Sequence, residues 1–128
     1  MAIANLNLEK IQVDDGLDSI VLVNDLGDIP GGRTLDVSGV ASGTTVIKAG
    51  HIIIKTATGE YAPLGITTGA YNSLTSGQSY VGVLKKSVLV SDPRAAILTI
   101  GQVNAAASPY PVTDTIKSGL PRIEFLYV

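Results

Sequence analysis

Cysteine and tryptophan are absent from the chain, and phenylalanine, methionine and histidine occur once each. Without cysteine there can be no disulfide framework, no thiolate zinc site and no cysteine nucleophile. A single histidine, His51, cannot hold zinc alone, because such sites need three or four protein ligands. The net charge of -2 leaves no electrostatic footprint for nucleic acid. No apolar run has the length needed to cross a bilayer, so no membrane contact is expected. No basic segment leads into an apolar core of the secretory kind, and the expectation is synthesis and folding in a cytosol. Fixed-period repeats and low-complexity stretches are lacking too.

What the chain does have is strand material. Valine and isoleucine number 13 each, with 11 threonines, while 14 glycines and six prolines cut the sequence into short pieces. Branched Cβ atoms pack well on a pleated sheet and poorly along a helix, so the composition is that of an all-β protein. The 128 residues suffice for one domain with a real core. Large aromatics are too few to fill it, which suggests that part of the apolar surface is covered by other subunits. Charge is unevenly placed: residues 1–47 carry seven acids and two bases, residues 48–128 four acids and seven bases. That asymmetry suits a charged partner surface, and equally a set of solvated side chains.

The chain is organised around Ala49–Gly65, AGHIIIKTATGEYAPLG, read as a hairpin: Ile52, Ile53 and Ile54, a reversal at Thr58-Gly59-Glu60, then a return through Tyr61 to Leu64. Residues 1–13, with Ile3, Leu6, Leu8, Ile11 and Val13, read as an arm that orders against a partner or as an edge strand. Residues 14–128 form the β-rich domain. Within it a short strand is expected over Ser19–Asn24, a loop over Asp25–Thr34 and a weak strand through Leu35, Val37 and Val40. Ile66–Ser79 reads as an excursion, with Tyr71, Asn72 and Leu74 forming a candidate surface or intersubunit loop. Tyr80–Leu84 is a strand in which Gly82 permits close backbone approach or marks a bulge. Lys85-Lys86 turns outward and Ser87–Val90 continues the β pattern. Asp92-Pro93 has the form of a helix start, but Ile97, Thr99, Ile100 and Val103 favour a strand over Ala96–Val103. Val112–Gly119 holds one helical turn capped by Thr113, and Arg122–Val128 forms a terminal strand.

Candidate chemistry is sparse. Asp14, Asp15, Asp18, Asp25 and Asp28 offer oxygen ligands, but their spacing does not match a calcium loop. Ser87 and Ser91 lack a nucleophile-elbow context, and Gly31-Gly32-Arg33-Thr34 lacks the lysine and spacing of a phosphate loop. No catalytic, metal-ligating or cofactor-binding residue is therefore expected, and the chain is read as non-enzymatic.

IKAGHIIIKTATGEYAPL, then YVGVLKKSVLV, then AAILTIGQVNAAA, followed by a short helix and an apolar terminal strand, resembles the head decoration and head fibre proteins of tailed bacteriophages, the family of the phage lambda capsid decoration protein. The resemblance covers about residues 47–128. It implies a small single-domain fold, mainly β, a sandwich or barrel-like arrangement with at most one or two short helices, assembled as a homotrimer. It further implies a cement protein at three-fold or quasi-three-fold junctions of the major capsid protein, on the outer surface of the expanded head, with localisation in the virion. Residues 1–13 would then be the capsid-binding arm and Ile3, Leu6, Leu8 and Ile11 its anchors. The alternative is a head fibre base or a module adhering to the host surface.

Overall fold

The run Ile52-Ile53-Ile54 breaks the in-out alternation of a strand with one wet face, and it needs a sheet covered on both sides. A computed structural model of the chain, which describes residues 21–29, 32–40 and 43–127, meets that need. β4 (Ile52–Lys55) sends Ile52 and Ile54 into one apolar cluster and Ile53 into another. β8 (Ser79–Leu84) divides Val83 and Leu84 in the same way, and β11 (Ile97–Asn104) divides Leu98 and Ile97. The fold is mainly β, with several sheets and one short α-helix among the described residues.

The principal sheet runs in the order β1 (Leu22–Asp28), β11, β8, β4, β5 (Tyr61–Pro63), and β12 (Ile123–Leu126) also pairs with β11. All pairings are antiparallel except that of β12, which lies parallel to β11 over Gly101–Asn104. β1 occupies one edge of β11, while β8 and β12 share the other: β8 meets Ile97 and Leu98, and β12 begins at Gly101. Among the described residues there are also three two-stranded sheets: β2 (Arg33–Thr34) with β10 (Arg94–Ala95), β3 (Val46–Ile47) with β9 (Val88–Leu89), and β6 (Ile66–Thr67) with β7 (Ala70–Tyr71).

The hairpin expected over Ala49–Gly65 is β4 and β5, closed by a turn in which Gly59 has φ 92° and its N–H donates to the Thr56 carbonyl. Gly82 is a point of close approach: a Cβ there would meet the carbonyl of Leu98 at less than contact distance. The neighbouring ladder also shifts register between Ile53 and Ile54. Before β12 the chain forms a 3-10 turn at Ala105–Ala107 and then α1 (Asp114–Gly119). Thr113 caps α1 by accepting the Ile116 N–H, and Ile116 packs into the first apolar cluster.

Three expectations are corrected and a fourth holds. The strand expected over Ser19–Asn24 runs later, through Asp28, because Asp25–Asp28 finds partners on β11 that local turn chemistry does not reveal. Leu35, Val37 and Val40 form no strand; Leu35 is buried and the other two are half-buried against the second apolar cluster. The strand expected over Ala96–Val103 is β11, and the Asp92 carboxylate ahead of it takes two bonds of 2.9 Å from the Arg94 guanidinium. Lys85 does not point freely outward but returns to β1.

Candidate functional site

β1 carries the most distinctive surface. Leu22 pairs with Val103 and Asn24 with Gln102, so Val23 is an extra residue in the ladder. Asp25 pairs with Gly101 and Gly27 with Ile100, so Leu26 is a second. Such bulges re-aim side chains, and here both aim apolar groups at solvent: Val23 is 47% exposed and Leu26 66%. Together with Tyr127 they are the exposed large hydrophobic residues among the described ones. Gly101 makes the arrangement possible, since a Cβ at that position would overlap the carbonyl of Asn24.

The acids of β1 hold the strand down. The Lys85 ammonium bridges the carboxylates of Asp25 and Asp28, the second at 2.7 Å, and its side chain is only 17% exposed. Hydrogen bonds to Asp25 and then to Asp28 keep the Lys85 ammonium charged to higher pH than usual. These two aspartates therefore serve a lysine. Asp14, Asp15 and Asp18 lie outside the described residues, as do Ile3, Leu6, Leu8 and Ile11.

A second cluster gathers around His51. Its Nε2 lies 2.9 Å from the carbonyl oxygen of Leu64. A carbonyl only accepts, so Nε2 carries the proton and Nδ1 of the neutral ring is a bare lone pair. The ring stands edge-on to Tyr71 and Tyr110, with centroids 5.3 and 5.8 Å away. Burial pushes the His51 pKa below its usual value, against a smaller opposing effect of the Leu64 bond. Burial also raises the Tyr71 pKa, and the Tyr71 hydroxyl accepts the Ile52 N–H at 3.3 Å. Beside this cluster opens a cavity of about 560 Å³, walled in part by Val46, Pro63, Pro109, Tyr110 and His51. Ser108 also lines it, and the Ser108 hydroxyl is buried without a hydrogen-bond partner.

Of the loop residues singled out in the sequence, Asn72 is exposed, whereas Tyr71 and Leu74 pack against the first apolar cluster. The union of His51, Tyr71 and Tyr110 has no signature in the sequence, because the three residues are far apart and only the fold joins them. Among the described residues no three His, Cys, Asp or Glu side chains gather as a metal site.

The arrangement defines a mainly-β protein whose exposed apolar side chains include a pair on one bulged strand, with a small cavity elsewhere. No family model, curated protein or solved structure matches the chain.

Proposed function

We propose that the protein is a non-enzymatic capsid decoration protein, which binds the outer surface of an expanded phage head and reinforces contacts between major capsid protein subunits. The observation that carries the reading is the outward turn of Val23 and Leu26 by two successive bulges. Apolar groups of that size placed in water by a specific backbone device are suited to a partner surface. They follow closely in sequence on residues 1–13, whose Ile3, Leu6, Leu8 and Ile11 are the proposed anchors. An extended arm contributes backbone hydrogen bonds and fills pockets with alternate side chains, and β1 adds a fixed apolar contact beside it.

In this proposal three copies assemble as a homotrimer of sandwich or barrel-like subunits. Three weak contacts on one trimer then act at high effective concentration, so the whole holds more tightly than any single contact. The bulges also blunt β1 against indiscriminate edge pairing, which suits a protein crowded among copies of itself.

The test is co-sedimentation with expanded heads lacking the protein, using the double variant Val23→Asp, Leu26→Asp. Covering both side chains contributes roughly 2–4 kcal/mol per subunit, so binding should fall by at least tenfold at unchanged melting temperature. Wild-type binding by a folded double variant would refute the role given to β1. A wild-type chain that stays monomeric and never sediments with heads would refute the whole reading.

A further inference from the structure

We propose that the cavity beside His51 is filled by the chain's own residues 13–20, with the side chains of Val13 and Leu17 seated against its wall. The contact lies within one chain and does not rest on the capsid reading. The cavity wall includes neither Val23 nor Leu26, so either idea can fail alone.

The place where the described chain begins points to this occupant. Val21 is buried in the first apolar cluster, at 1% exposure. Gly50 has φ 93° and packs so closely that a Cβ there would lie 3.2 Å from Val21 Cγ1, 3.2 Å from Pro109 Cδ and 3.3 Å from Ser108 Cα. Val21 and the Ser108-Pro109 stretch of the cavity wall therefore flank a single point. The segment that precedes Val21 leaves from beside the cavity. An extended chain covers about 3.3–3.6 Å per residue, so four residues carry Leu17 up to about 14 Å from Val21 and eight carry Val13 up to about 29 Å. That is slack enough for the segment to turn back at Gly16 and enter.

The wall calls for apolar cover. Val46, Pro63, Ile66 and Pro109 give it aliphatic surface. Leu64 on the same wall belongs to the first apolar cluster and Ile47 to the second, so the cavity of about 560 Å³ lies where the two clusters meet. Atoms facing an empty space there forfeit their dispersion contacts. Side chains tethered at Val21 are the occupant with the highest effective concentration. The segment VDDGLDSI offers Val13 and Leu17 for the wall, with acids at Asp14, Asp15 and Asp18. Lys48 is the charged residue among the described lining, and it is a cation, so charge does not oppose the contact.

The experiment is isotope-filtered NMR on the full chain, with methyl-labelled and unlabelled copies mixed so that contacts within one chain are separated from contacts between copies. Nuclear Overhauser effects from the Leu17 and Val13 methyls to Val46, Ile66 and Pro109 are expected within one chain and unchanged on dilution. In parallel, Leu17→Asp should move the amide signals of Val46, Gly65 and Tyr110, whereas Leu6→Asp should leave them in place. No contact from these methyls to the wall, contacts only between copies, or wall amides that ignore Leu17→Asp would each overturn the assignment. The first two readings use the unaltered chain, so they decide the matter even where Leu17→Asp fails to fold.

Discussion

Replacing Gly101 by alanine tests the packing that presents the β1 surface. The added Cβ would fall well inside 3.0 Å of the Asn24 carbonyl oxygen, a separation real Cβ atoms essentially never show, with Leu98 Cδ1 3.2 Å away on another side. Neither neighbour is free to yield: Asn24 belongs to the backbone of β1, and Leu98 is fully buried. Relief therefore requires β1 to retreat from β11 by about 1 Å, which breaks the ladder around Asn24–Gln102 and Asp25–Gly101. Loss of two or three backbone hydrogen bonds, each contributing about 1 kcal/mol, destabilises the fold by roughly 2–3 kcal/mol. For a chain of 128 residues that is a fall of about 8–12 °C in melting temperature. Thermal melting followed by circular dichroism reads the magnitude, and amide exchange over residues 22–28 reads the location. Gly39→Ala is the control, since a Cβ there meets nothing within 4 Å and the backbone has no positive φ. If Gly101→Ala melts within 2 °C of that control, on the order of the error in such scans, the reasoning is wrong.

Other substitutions probe the remaining supports. Thr113→Ala removes the cap on the Ile116 N–H and should cost about 1 kcal/mol, read as a drop of about 4 °C in melting temperature. Lys85→Met leaves Asp25 and Asp28 facing each other without their shared cation. Amide exchange in β1 should quicken, with a loss of about 1 kcal/mol that shrinks at high salt. For His51 the folded pKa lies below the unfolded value near 6.5, so the unfolded chain takes up the proton first. Its contribution is complete above pH 6.5 and is lost as pH falls from there through the lowered folded pKa, at up to about 1.4 kcal/mol per pH unit. His51→Gln can keep a donor toward Leu64 without titrating, so its melting temperature should decline less between pH 7 and 5; an identical decline would sink the argument.

How much of this was legible in the sequence depended on how local the determinants are. The Ile52–Ile54 hairpin and the Thr113 cap rest on residues close in sequence with one dominant conformational preference, and the structure contains both; Gly82 announced a close approach by its lack of a side chain, but not that Leu98 on β11 is what approaches. β1 was misplaced because Asp25-Leu26-Gly27-Asp28 has the chemistry of a turn; only pairing with a distant strand, and a lysine from another part of the chain, hold it extended. The bulges that expose Val23 and Leu26 depend on a glycine in the opposite strand, which no window around β1 contains. The same holds for the cavity, whose wall is drawn from segments near residues 46, 63 and 109. Proline and glycine in those segments announced turns but not what the turns enclose.

The placement of β11 bears on how the molecule is made. Its residues contact β1 on one edge and β8 and β12 on the other, and the β1 partners lie 70 to 81 positions downstream of their mates. During synthesis the early strand must therefore wait for its β11 partners until the chain has reached Asn104, and the parallel strand is added only after that. Final closure of the sheet is thus a late, long-range event, and a nascent chain halted before residue 97 would hold an acidic, apolar-tipped strand with no β11 to receive it.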